Sequence, residues 1–225
     1  MKRPWNCSAI TPIFFAVMLS VGVLFGCSAG SRSPADPSAI EAVPRPAISA
    51  IETPEVRKLL ESAELQVKTT RQYTQEYFSI PYPNGDVPAE TGACTDVIIR
   101  SFRNAGVDLQ KEVHEDMAAH FASYPQKWGL SRPDTNIDHR RVPNLQTFFT
   151  RRSKSLPVTA RAEDYKPGDV VSWDLDGKGM THIGLVSNLW NSEGQRYLVV
   201  HNIGGGVNAE DRLFEWKITG HFRYF

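Results

Sequence analysis

The chain has 225 residues, 41% of them apolar and 22% charged, with 5 Trp and 11 Phe. That is enough to fill one domain of ordinary size or two small ones, and it excludes a disordered or collagen-like chain. Lys and Arg number 25, as do Asp and Glu, so there is no electrostatic reason to expect nucleic acid, and three cysteines (Cys7, Cys27 and Cys94) are too few for a disulfide scaffold.

Lys2 and Arg3 precede an uncharged apolar run from Ala9 to Gly26, the pattern of an export signal. The run is also just long enough for a permanent membrane helix, an alternative weakened by Pro12 and Gly22. Its end, Leu24-Phe25-Gly26-Cys27, resembles the bacterial lipoprotein box, although Phe25 is bulkier than that pattern usually has. The resemblance implies that residues 1–26 are a signal peptide and that Cys27 becomes the lipidated first residue. The product would then be anchored in the periplasm, at the outer membrane. Several acyl chains on one residue give stable anchoring where a single chain does not. Losing Lys2 and Arg3 would leave 23 basic side chains against 25 acidic, a mildly acidic product. Cys94 would then be the one free thiol in an oxidising compartment, either buried or useful.

Residues 27–51 are rich in Ser, Ala and Pro and read as a disordered tether. A folded domain is expected over 52–225. Thr53-Pro54-Glu55 is a helix start, and Val56, Leu59, Leu60, Ala63 and Val67 follow at helical spacing toward Tyr73 and Tyr77. Residues 79–92 carry three prolines and Asn84-Gly85 and are expected to be irregular. A second helix is predicted from Thr91 or Cys94 to Asn104-Ala105-Gly106, and a third through Val113, Met117, Phe121 and Tyr124 to Pro125. Between Trp128 and Pro143 the polar and charged residues predict a functional or salt-bridged loop. Three short strands follow, at 170–173, 182–186 and 197–201, joined by Gly, Asn and Asp turns. Helices first and antiparallel strands afterwards predict an α+β domain with any active site where helix meets sheet.

A cysteine in the first turn of a helix is placed for nucleophilic chemistry, because the positive helix end favours thiolate. Cys94 occupies that position but has no local base. His182 opens one candidate strand and His201 closes the next, so an antiparallel hairpin would bring them to the same end. His182 is then the base, expected to form an ion pair with Cys94, and His201 or Asn202 orients the imidazole. The bland alternatives are a thiol buried as a small hydrophobe and strand histidines in ordinary hydrogen bonds.

Three strings carry a family likeness: Thr91-Gly92-Ala93-Cys94-Thr95-Asp96, Pro167-Gly168-Asp169-Val170-Val171 and Thr181-His182-Ile183-Gly184-Leu185-Val186, with Val199-Val200-His201-Asn202 after them. They resemble the papain-like cysteine hydrolases of bacterial cell walls, the NlpC-type and CHAP families, over about residues 90 to 205. The resemblance implies a papain-like α+β fold with helices packed on a small antiparallel sheet. It also implies amidase or endopeptidase action on peptidoglycan through Cys94, His182 and His201, without a cofactor. The strings at 113–117, 136–145 and 201–204 resemble a bacterial envelope family catalogued only as a domain of unknown function. One departure is Ala93, where many NlpC-type enzymes have an Asp that helps recognise a free amine.

Asp96, His139, Arg140, Arg141 and Asn202 are the expected substrate-binding residues, with Arg140 and Arg141 suited to clamping stem-peptide carboxylates or, equally, to pairing with Asp134, Asp138 or Glu115. His114, Glu115, Asp116, Asp138 and His139 include metal-ligand types at poor spacing, and no metal is expected. Gly204-Gly205-Gly206 reads as a turn near the cleft and His221 as structural. The competing function is a catalytically idle lipoprotein that holds peptidoglycan or a partner in the same cleft.

Overall fold

The computed structural model describes residues 53–225; the expected signal peptide, Cys27 and the tether lie outside the described residues. Helix α1 (Pro54–Thr69) starts where its signals place it, with Thr53 Oγ1 accepting from the Val56 N–H at 3.2 Å and Pro54 in the first turn. It buries Leu59, Leu60 and Ala63 but stops short of Tyr73. Thr70 turns extended and its hydroxyl donates to the Ala89 carbonyl at 2.8 Å, while the Arg71 and Gln72 N–H groups donate to Glu90. The chain thus finds partners for its backbone outside the helix. Strand β1 (Gln72–Tyr73) pairs in parallel with β2 (Thr91–Gly92), which ends the irregular segment just before Cys94.

Helix α2 (Cys94–Asn104) buries Val97, Ile98, Ile99 and Phe102. Helix α3 (Leu109–His120) is capped by Asp108 and runs into a 3₁₀ turn at Phe121–Ser123 before Pro125. A fourth helix, α4 (Val142–Arg151), occupies a segment for which the sequence reading predicted nothing regular. Its signals are Pro143 in the first turn and the buried series Val142, Leu145, Phe148 and Phe149.

Strands β3 (Val170–Asp174), β4 (Thr181–Trp190), β5 (Tyr197–Asn202), β6 (Val207–Glu210) and β7 (Lys217–Phe222) form one sheet in the order β6-β5-β4-β3-β7, each pair antiparallel. Strands β6 and β7 are additions to the predicted three. The pleat sends alternate residues to opposite faces. Val170, Ile183, Leu185, Val200 and Phe222 join the large core with α1, α2 and α4; Val171, Trp173, Val186 and Val199 join a smaller core with Tyr165 and Leu213. The protein is therefore mixed α+β, with four α-helices and a five-stranded antiparallel sheet among the described residues.

Candidate active site

The start of α2 is held from four directions. Asp96, third in the helix, accepts the Ala93 N–H at 2.6 Å, the half of a capping box that reaches back from the first turn, while the methyl of Ala93 supplies no acceptor for the other half. Its carboxylate is gripped by Arg140, Nε to Oδ1 at 2.9 Å and Nη2 to Oδ2 at 3.0 Å, with both side chains at most 3% exposed. Arg140 also donates from Nη1 to the Glu76 carbonyl at 2.9 Å, and Thr95 Oγ1 donates to the Arg140 carbonyl at 3.1 Å. From the sheet, Asn202 Nδ2 donates to the Gly92 carbonyl at 2.9 Å and to Gln72 at 3.3 Å.

Cys94, a free thiol 6% exposed, sits in this frame. Burial pushes its pKa up to about 12 and the Asp96 carboxylate adds to the rise, against the backbone N–H groups of Ile183, Thr95 and Cys94 itself, which lower it. Cys94 and Ile183 belong to one buried cluster, which places the helix start against β4 one residue from the expected base. The thiol also borders an open cavity of about 380 Å³ lined by Tyr73, Arg140, Arg141, Trp128 and Thr181, among others.

The His182 ring leaves β4 on the side of Trp173, its partner across the strands, and is 3% exposed. His182 Nε2 lies 2.7 Å from His201 Nδ1, and His201 Nε2 lies 3.0 Å from Glu210 Oε2, within ion-pair distance although off the line of a straight hydrogen bond. One tautomer set satisfies the row: His182 donates from Nε2 to His201, and His201 directs its own Nε2–H toward the Glu210 carboxylate. That leaves a lone pair on His182 Nδ1, which has no hydrogen-bond partner among the described residues. Burial and the neighbouring His201 bring the His182 pKa down to about 3. Burial also lowers that of His201, against the pull of Glu210. Gly184 keeps the row compact: a Cβ there would lie 2.6 Å from Val199 Cγ1 and 3.2 Å from both His201 Cβ and the Trp173 ring.

These shifts correct one expectation. Among the described residues no hydrogen bond joins the Cys94 thiol to His182, and burial favours the neutral form of both, against the expected ion pair.

The other expected residues divide. Arg140 and Arg141 line the cavity, but Asp96 is committed to Ala93 and Arg140, so it braces the helix start instead of facing substrate. Asn202 fastens the segment before Cys94, and the position behind His182 goes to His201. His139 is not brought to the cavity. The 3₁₀ turn Asp138–Arg140 spaces its side chains about 120° apart, so when Arg140 meets α2, His139 turns inward. There it is 1% exposed with Nε2 unpartnered, and burial holds its pKa at about 3. Asp116 is taken by Arg151 and Tyr124, and among the described residues no three His, Cys, Asp or Glu side chains cluster as metal ligands. His221 Nε2 donates to Asp169 Oδ2, 2.7 Å away, in a buried pair that Arg223 completes. Sequence reasoning missed Glu210, Lys127, Trp128 and Tyr73. The polar Glu210 in an otherwise strand-like stretch after His201 was a weak signal, and the others carried none.

The buried histidines have a consequence for stability. Unfolding raises His139 and His182 from about 3 to the ordinary value of about 6.5, so the unfolded chain binds more protons between those limits. Their contribution is complete above pH 6.5 and is lost as pH falls toward 3. Urea unfolding at a series of pH values should show stability dropping by a few kcal/mol across that window. His139→Leu should flatten part of the slope, and an unchanged slope would refute the assignment of His139.

Fold and site together define a mixed α+β protein in which a helix-start thiol borders a cleft and a buried histidine row stands beside it. The chain belongs to the family described as a domain of unknown function, DUF1287, whose model matches residues 60–224. An uncharacterized protein of Escherichia coli (strain K12), YijF, is 53% identical over 167 residues, covering 74% of this chain and 80% of that protein. Among solved structures, NlpC1 from Trichomonas vaginalis aligns at a TM-score of 0.42 and 12% identity, over 77% of this chain and 46% of that one; the chain thus spans about half the length of that structure.

Proposed function

We propose that this protein is a papain-like cysteine hydrolase of the bacterial envelope that cleaves amide bonds in peptidoglycan, with Cys94 as nucleophile and His182 as base. The observation that carries the reading is that Cys94 opens α2 on the wall of a cavity and shares one buried cluster with Ile183, whose neighbour in the chain, His182, heads the row His182–His201–Glu210.

In the proposed reaction the sulfur bonds to the carbonyl carbon while His182 Nδ1 takes the thiol proton. Because burial disfavours a standing thiolate, the proton moves during attack; hydrogen bonds between catalytic groups often tighten only once substrate is bound. The backbone N–H at the start of α2 is the candidate donor to the oxyanion that develops on the substrate carbonyl. The C–N bond then breaks, the amine leaves with the proton from His182, and an acyl-thioester remains on Cys94. Water, deprotonated by His182, attacks the thioester; the acid is released and the thiol is restored. His201 and Glu210 act as positioning residues that hold His182 in the tautomer with a free Nδ1.

Peptidoglycan is proposed as substrate from the lipoprotein-like leader and the motif strings, with Cys27 as membrane anchor in the periplasm. A second cavity of about 750 Å³, sharing Lys127 and Pro143 with the first and rich in hydroxyls (Ser123, Thr147, Thr150, Ser155, Thr219), suits a long polar substrate. Mass spectrometry of wall fragments after incubation with the protein tests the reading: new fragments support it, and an unchanged profile rejects it. The idle binding lipoprotein is the second reading, favoured by the raised Cys94 pKa, and it predicts that protein sediments with peptidoglycan without cutting it.

His201→Ala should lower the turnover number by about 10²–10⁴-fold, the range for losing general-base function or its orientation. Glu210→Gln should cost less and shift the acidic limb of the pH profile. Initial rates of fragment release check both; full activity in His201→Ala would remove the histidine row from the mechanism.

A further inference from the structure

The walls of the Cys94 cavity carry a charge pattern that amide cleavage does not require. Lys127, Arg140 and Arg141 line it, and no carboxylate does. The three cations differ in what neutralises them. Arg140 is spent on Asp96 in a buried, two-pronged pair. Arg141 gives only Nη1 to Asp138 Oδ1, at 3.0 Å; its Nε and Nη2 have no protein acceptor among the described residues. Its guanidinium lies 4.0 Å from the centre of the Trp128 ring, which holds the planar group in place while leaving its edge open. Lys127, next to Trp128, is exposed and makes no ion pair among the described residues.

We infer that the cavity binds an anionic group of the ligand, a carboxylate close to the attacked amide, between the Arg141 fork and Lys127 with Trp128 as its platform. A guanidinium fork with free donors matches the two oxygens of a carboxylate, and a lysine beside it adds charge with little directional demand. The cavity walls strengthen this attraction relative to open water. The ligand class is therefore an acylated amino acid or peptide with a free carboxylate, in preference to its amidated form. Calling that ligand a substrate rests on the hydrolase reading; the anion site itself does not.

The test is a nuclear magnetic resonance titration of the intact domain, read at the Trp128 indole N–H, which Trp128→Phe identifies among the four tryptophans of residues 52–225. N-acetyl-alanine is compared with N-acetyl-alaninamide, two probes that differ in charge and hardly in shape. The acid should shift the resonance saturably and the amide should not, and raising salt should weaken the acid. Lys127→Gln, at an exposed loop position, should weaken binding by roughly threefold, and Arg141→Gln by roughly tenfold. Equal responses to acid and amide, no response to either, or unaltered affinity in both variants would overturn the inference. No turnover enters the titration, so a protein that binds the acid but never cuts peptidoglycan would lose the hydrolase reading and keep the anion site. Cleavage that ignores the carboxylate would do the reverse.

Discussion

Cys94→Ala is expected to abolish fragment release from peptidoglycan, by about 10³-fold or more, because no other described side chain stands where the sulfur does. The fold should survive the change. The thiol is one small group at the rim of the core, and its removal costs on the order of 1 kcal/mol. None of the clamps on the helix start passes through the thiol itself: Asp96 holds the Ala93 N–H, Asn202 the Gly92 carbonyl and Thr95 the Arg140 carbonyl. Binding to sacculi should therefore persist while cutting stops. Thermal unfolding, sedimentation with sacculi and mass spectrometry of fragments, made on one preparation, separate these quantities. Cutting by the variant at the wild-type rate would rule out covalent catalysis by this residue.

Arg140→Ala should have the largest effect on stability. It strands the Asp96 carboxylate, buried without a counter-charge and with only the Ala93 N–H left to it, and it empties the contact with the Glu76 carbonyl. Removing one member of a buried, hydrogen-bonded ion pair typically costs about 3–5 kcal/mol, most of it the penalty on the charge left behind. Against a usual stability of about 5–15 kcal/mol, that is a large fraction. The pair can be told from a simple packing effect by a cycle with Asp96→Ala. The double variant should be less destabilised than the sum of the singles, since the stranded charge has gone too. Additive losses in chemical denaturation would mean that the two groups are not coupled as their 2.9 and 3.0 Å contacts indicate.

Much of this frame can be read from local sequence. Thr53-Pro54 starts α1, Cys94 starts α2, and the spacing from His182 to His201 sets up an antiparallel hairpin that brings the two rings together. Each is a signal carried within a few residues or by a single hairpin. What escaped depends on distant partners. Strand β7 joins β3 on the far edge of the sheet, and nothing in 217–222 announces that pairing. Glu210 reaches His201 only because β6 returns beside β5, with Val199 opposite Glu210. Helix α4 was hidden by the charged stretch before it, whose arginines prove to be split between bracing α2 and lining the cavity. The resting protonation states were also out of reach, since burial decides them and burial is a property of the whole fold.

The central claim is covalent: during turnover the acyl half of a peptidoglycan amide resides on Cys94. Intact-protein mass spectrometry of the domain, quenched in acid while it digests soluble peptidoglycan fragments, reads that state directly. The account predicts a transient mass increase equal to the acyl fragment, mapped to the peptide containing Cys94, reversed by hydroxylamine and missing from Cys94→Ala. Fragment release by the wild-type domain with an unmodified Cys94 at every quench time, and equal release by Cys94→Ala, would contradict it.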